Sequence, residues 1–184
     1  MDTKSKIGVR GIVTRRLLDK DGNPLPLFRE NFLWDLLNKI FHWDIKIPFI
    51  TGRWTLKPIV KNTITTTGLA KVAGLIVGEV TDPFIYLALG IGTATNAGLG
   101  SEIVDGGLER AEATVSQVTT TETNDTGQLV YEWTATGSYA ITEEAIYDAA
   151  AAGNCLAYRN FSAVNVESGN KFEITHQVVV AIPA

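Results

Sequence analysis

Apolar and polar residues alternate with a period of two through much of the chain. Over Ile7 to Leu18, Val9, Gly11 and Val13 alternate against Arg10, Thr14 and Arg16. This predicts a strand, because successive strand side chains face opposite ways. Asp19-Lys20-Asp21-Gly22-Asn23-Pro24 follows, and its Gly and Asn tolerate the positive φ of a tight turn. Leu25 to Phe28 then reads as the returning strand of a hairpin. The period changes after Asn31, a residue type suited to a helix N-cap. Leu33, Leu36, Leu37, Ile40 and Phe41 fall on one helical face, while Phe32 and Trp34 fall outside it. A helix apolar on several sides wants more than one neighbour. Ile45, Ile47 and Phe49 alternate with Lys46 and Pro48, as an extended or edge segment would.

From residue 59 the texture shifts to Thr, Val, Ala and Gly. Ile59 to Thr65 predicts a strand and Gly68 to Val77 a short helix weakened by Gly74. Phe84 to Leu89 predicts a buried strand ended by Gly90-Ile91-Gly92-Thr93, and residues 94–108 read as loop. Ala111 to Glu122 and Gly127 to Thr136 predict a hairpin around Asn124-Asp125-Thr126. Tyr139 to Tyr147, Cys155 to Phe161 and Phe172 to Ile182 follow, the last two joined across Glu167-Ser168-Gly169-Asn170. Short strands separated by turn signals predict a mostly β fold, a β-sandwich or jelly-roll-like knob. The expected division is an N-terminal arm over 1–58, with a hairpin, a short helix and an extended segment, and a β-sandwich domain over 59–184.

Composition narrows the chemistry. A single cysteine, Cys155, excludes an intramolecular disulfide and a cysteine-based zinc site, and two histidines are few for a histidine metal centre. No cofactor and no metal is expected. No run is apolar enough to span a bilayer, and the opening residues lack a signal-peptide stretch. Residues 1–60 carry eleven bases and six acids, net +5, and the remainder is net −9. That asymmetry fits either two functional layers or ordinary surface charge. It does not fit direct nucleic-acid binding, because no reader motif accompanies the spread basic residues. Gly90-Ile91-Gly92 follows a strand but lacks the lysine and helix start of a phosphate loop. Glu143 and Glu144 are adjacent in a strand and point to opposite faces, so they read as solvated or locally paired surface acids rather than a catalytic couple. His176 and His42 read as structural. Asp19, Asp21 and Asn23 resemble the start of a calcium loop, which Pro24 and Pro26 interrupt; a hairpin turn is expected. The chain is expected to be no enzyme.

Seven of the sixteen aromatic residues crowd the arm: Phe28, Phe32, Trp34, Phe41, Trp43, Phe49 and Trp54. They either make a small second core or anchor into a neighbouring subunit, and so short an arm could hardly bury them alone. With Arg15 and Arg16 they form the expected assembly interface.

The order of several segments resembles tailed-bacteriophage virion proteins. These are Ile47-Pro48-Phe49-Ile50-Thr51-Gly52-Arg53-Trp54, Gly68 to Ile76, Phe84 to Thr93, Leu99-Gly100-Ser101-Glu102-Ile103, Arg110 to Val115, Asn124 to Val130, Trp133 to Ser138, Ala140 to Glu143, Ala157-Tyr158-Arg159 and Phe161-Ser162. Glu144 and Tyr147 depart from the small residues of that pattern. The resemblance implies capsid decoration (cement) or tail-associated proteins, which are β-sandwiches assembling as trimers or rings. On that footing the expected function is a capsid decoration protein that clamps subunits of the major capsid protein on the outer surface of the head, as a homotrimer in the virion. The alternative is a tail or baseplate adaptor or fibre protein that contacts the host.

Overall fold

The computed structural model describes residues 8–30, 33 and 52–181. Their elements, in chain order, begin with β1 (Gly8–Leu18), β2 (Pro24–Leu25), β3 (Leu27–Glu30), β4 (Gly52–Thr55), β5 (Ile59–Lys61) and β6 (Thr63–Ile64). Helix α1 (Thr66–Val77) is followed by β7 (Tyr86–Gly90), β8 (Ala111–Glu112) and β9 (Thr114–Val118). Four longer strands complete the fold: β10 (Thr126–Thr134), β11 (Tyr139–Tyr147), β12 (Cys155–Val166) and β13 (Lys171–Ala181).

Two antiparallel sheets dominate. The first runs β2-β1-β13-β10-β9 with β5 also on β1, the second β6-β12-β11-β7-β8, and β3 with β4 makes a separate ribbon. Val13, Leu17, Leu129, Trp133, Phe172 and Ile174 of the first sheet share one buried cluster with Leu87, Leu89, Ile141, Ile146, Leu156 and Val164 of the second. Each such large side chain contributes about 1.5–3 kcal/mol when fully buried. The expected sandwich is therefore present.

Strand β1 lies inside the first sheet. It pairs with β13 without a break from Gly8 opposite Ala181 to Leu18 opposite Lys171, and with β2 and β5 on its other side. Residues 8–18, assigned to the arm from sequence, are thus a strand of the sandwich. The cause is the inward parity of Val13 and Leu17, whose apolar faces are satisfied only in the common core. The expected hairpin turn is present: Asp19 Oδ1 accepts from the Asp21 and Asn23 backbone N–H at 2.9 and 2.8 Å. The helix expected after Asn31 lies outside the described residues except for Leu33, which is helical and exposed. The Ile45–Phe49 segment lies outside them too.

Helix α1 forms despite Gly74 because both ends are capped. Thr65 Oγ1 accepts from Gly68 N–H at 2.8 Å, and Gly78, in the left-handed region at φ 75°, closes the C-terminus. The helix sits close against β12 because Gly68 is bare; a Cβ there would meet Leu156 Cα at 2.6 Å. The single strand expected over 111–122 is divided. β8 pairs with β7 and β9 with β10, so the chain changes sheets at Ala113, whose N–H donates to Ile85 O at 2.8 Å.

Candidate functional site

The expected interface residues fall into three groups. Phe32, Trp34, Phe41, Trp43 and Phe49 lie outside the described residues. Arg15 is 2% exposed, with its guanidinium 4.0 Å over the Phe161 ring. It belongs to the interior and offers no surface to a partner. Its parity gave the signal, since Gly11, Val13, Arg15 and Leu17 share the buried face of β1. Arg16 is on the opposite face and pairs with Glu173 of β13, its register partner, at 3.3 Å. Phe28 is buried under Trp54, the rings meeting edge-on with centroids 5.5 Å apart. Trp54 itself is 54% exposed, so of the described aromatics named above it alone presents a broad face.

The larger apolar surface is on α1. Leu69, Ala73, Ile76 and Val77 fall within one stripe of the helix, and all are exposed, Ile76 to 80% and Val77 to 71%. The helix has no acidic residue in its first turn and no basic residue in its last. Its periodicity was legible in the sequence, but aromatic content drew the expected interface elsewhere.

Both glutamates of β11 are buried, which corrects their reading as surface acids. They do point to opposite faces. Glu143 faces the loop after β7, where its carboxylate accepts from the backbone N–H of Gly92, Gly100 and Ser101, each at 2.9 Å. The glycine loop therefore cradles an anion that the chain itself supplies. Glu144 faces the other sheet: His176 Nδ1–H donates to its Oε2 at 3.0 Å, and the Asn62 side-chain amide meets His176 Nε2. This polar chain joins β11 of one sheet to β13 of the other. Periodicity could place these side chains on faces but could not show what covered them.

A second brace holds the outer loops. Arg110 makes a two-pronged pair with Glu102 at 2.8 and 2.6 Å and donates to the carbonyls of Ala149 and Ala152. Its guanidinium stacks 3.7 Å over Tyr147, whose hydroxyl accepts from Leu99 N–H at 2.9 Å. Between α1 and the 148–154 loop lies a groove of about 500 Å³ lined by Lys71, Asp82 and Asp148 among others. Burial works to raise the Asp148 pKa, but hydrogen bonds from Lys71 and Asn154 overcome it and leave the group below its ordinary value. Among the described residues no cluster of three or more His, Cys, Asp or Glu could hold a metal ion.

Two sheets that share one core and are joined by a buried polar chain, with an apolar helix turned outward, define a β-sandwich structural module. Residues 64–181 match the family described as podophage GP4 fiber I protein gp80, and the chain belongs to that family. It is a structural protein of a phage virion. No curated protein and no solved structure matches the chain.

Proposed function

We propose that the chain is a non-enzymatic assembly subunit of the phage fibre apparatus, working as a homotrimer. The observation that carries this reading is the match of residues 64–181, most of the sandwich, to a fibre-protein family. The outward stripe of α1 supports self-association, because contiguous apolar surface is rare on proteins that stay monomeric. Trp54 supports docking on a larger neighbour, since exposed aromatics set on a rigid base make strong interface anchors. Head decoration, in which the trimer clamps the major capsid protein, draws on the same apolar surface and is the second reading. Gold-labelled antibody against the chain, imaged on intact virions, separates the two. Label on the fibres is the expected result, and label spread over the head faces would replace it with decoration. Sedimentation of the purified chain at micromolar concentration should give a trimer; a strict monomer there and in the particle would sink the trimeric reading.

A further inference from the structure

We propose that β9 is an open sheet edge to which β9 of a second copy of this chain adds as an antiparallel strand. The two strands meet about a two-fold axis at Ser116, so that the first sheets of two sandwiches become one continuous sheet.

Strand β9 ends the first sheet. It pairs with β10 from Val118 opposite Thr126 to Thr114 opposite Val130, and no described strand lies beyond it. Thr114, Val115, Ser116 and Gln117 are exposed. Every second residue of such a strand points its N–H and C=O away from the sheet, unpaired. Proteins ordinarily shorten such edges, charge them or interrupt them with proline. The other strands that border the two sheets follow that rule. β2 is two residues long and begins at Pro24, β5 has three residues and ends on Lys61, and β6 and β8 have two residues each. β9 has five, Thr114-Val115-Ser116-Gln117-Val118, with no charge, no proline and no break in its ladder.

This contrast identifies the occupant. Among the described border strands of a second copy, β9 alone is long enough to match β9 rung for rung. Pairing about Ser116 sets Thr114 opposite Val118 of the second copy and Val115 opposite Gln117. With no charge on either strand, no like-charge repulsion arises at the axis. On the face away from the core, Gln177 Nε2 donates to Gln128 Oε1 at 2.9 Å and Gln128 Nε2 to Ser116 Oγ at 3.5 Å. That polar row would continue through Ser116 into the other sheet. On the core side Val115 shares a face with its register partner Leu129, yet it is 53% exposed where the sheet stops. The stem of Gln117 from the second copy would cover it.

Five rungs fall well short of the roughly 800 Å² per partner that stable interfaces bury. The contact is therefore weak between dilute chains and strong where a particle holds copies side by side at high effective concentration. The inference goes beyond the assembly reading and does not depend on it. Helix α1 packs on the other sheet, so paired β9 edges would link trimers to one another, and would link single chains if the trimer failed.

The test is disulfide trapping in the full chain at millimolar concentration under mild oxidation. Ser116→Cys places two thiols face to face across the axis and should give covalent dimers on a non-reducing gel. Thr134→Cys, exposed at the far end of β10, should give almost none, and Cys155 is too buried to compete. Combining Ser116→Cys with Ile76→Glu, which disrupts the α1 surface, should leave the covalent dimer in place. Ser116→Lys sets two ammonium groups together at the axis, and light scattering should then show no growth in mass on concentrating the chain, where the wild type grows. The proposal is overturned if Ser116→Cys cross-links no better than Thr134→Cys, if Ile76→Glu abolishes the cross-link, or if Ser116→Lys grows in mass as the wild type does.

Discussion

His176 and Glu144 are closed off from water on different sheets and are joined by the hydrogen bond between His176 Nδ1 and Glu144 Oε2. Glu144 Oε1 has no hydrogen-bond partner among the described residues, so the carboxylate already depends on the one bond it makes. His176→Ala should therefore cost about 3–5 kcal/mol, as removing one member of a buried pair does. His176→Leu combined with Glu144→Leu should recover most of that loss, because two apolar groups of similar bulk leave no charge stranded. Urea unfolding of the single and double variants measures both. Cys155 is 3% exposed; burial, and then the Glu144 carboxylate, pushes its thiol up to about 12. The thiolate is the reactive form, so an aromatic disulfide reagent near pH 8 should label the native chain very slowly and the unfolded chain at once.

At the scale of elements, β1 is fitted to the β5–β6 connection through one glycine. A Cβ on Gly11 would overlap the Asn62 side chain, which must stay inside to reach His176. Gly11→Ala should destabilise the chain by about 1–3 kcal/mol in thermal or urea unfolding, the usual cost of overpacking. Helix α1 raises the opposite question, since its outer stripe packs on nothing described. Ile76→Glu should leave the fold intact, because Ile76 is solvent-facing, yet shift sedimentation toward monomer. Much of this layer was legible in the sequence. Period-two patterns gave β1, β10 and β13, and turn chemistry gave the Asp19 and Asn170 corners, because those signals are local. What was not legible depends on pairing between distant segments. Nothing within Gly8–Leu18 says that its partner is Lys171–Ala181, so the strand was assigned to an arm and Arg15 to a surface. The same limit hid the covers over Glu143 and Glu144, which come from residues 92–101 and from β13.

On the scale of the molecule, three carboxylates among the described residues hold protons less readily than free side chains do. The Asn23 side chain leads in lowering Asp19, and backbone N–H groups, Glu122 first, lower Asp125. At Asp148 burial opposes the shift and the bonds from Lys71 and Asn154 prevail. A depressed folded-state pKa contributes stability that is fully present above the ordinary carboxylate value, about 4, and is lost as pH falls through the lowered one. Asp19 and Asp125 are more open to solvent than Asp148, so Asp148 should dominate. The thermal midpoint of the wild type should fall steeply on acidification, and Asp148→Asn should flatten that acid limb while lowering the plateau. One feature of the long ladder bears on the particle as a machine. Gly8 lies opposite Ala181, so the chain enters and leaves the sandwich at the same pole, and the turns after Leu18 and before Lys171 share the other. Tension applied through both flanks would part β1 from β13 like a zipper, one rung after another. A load spread along the strands would be borne by all the rungs together. Where the chain is gripped, more than how tightly it folds, would then decide whether it yields when the virion is pulled against a host surface.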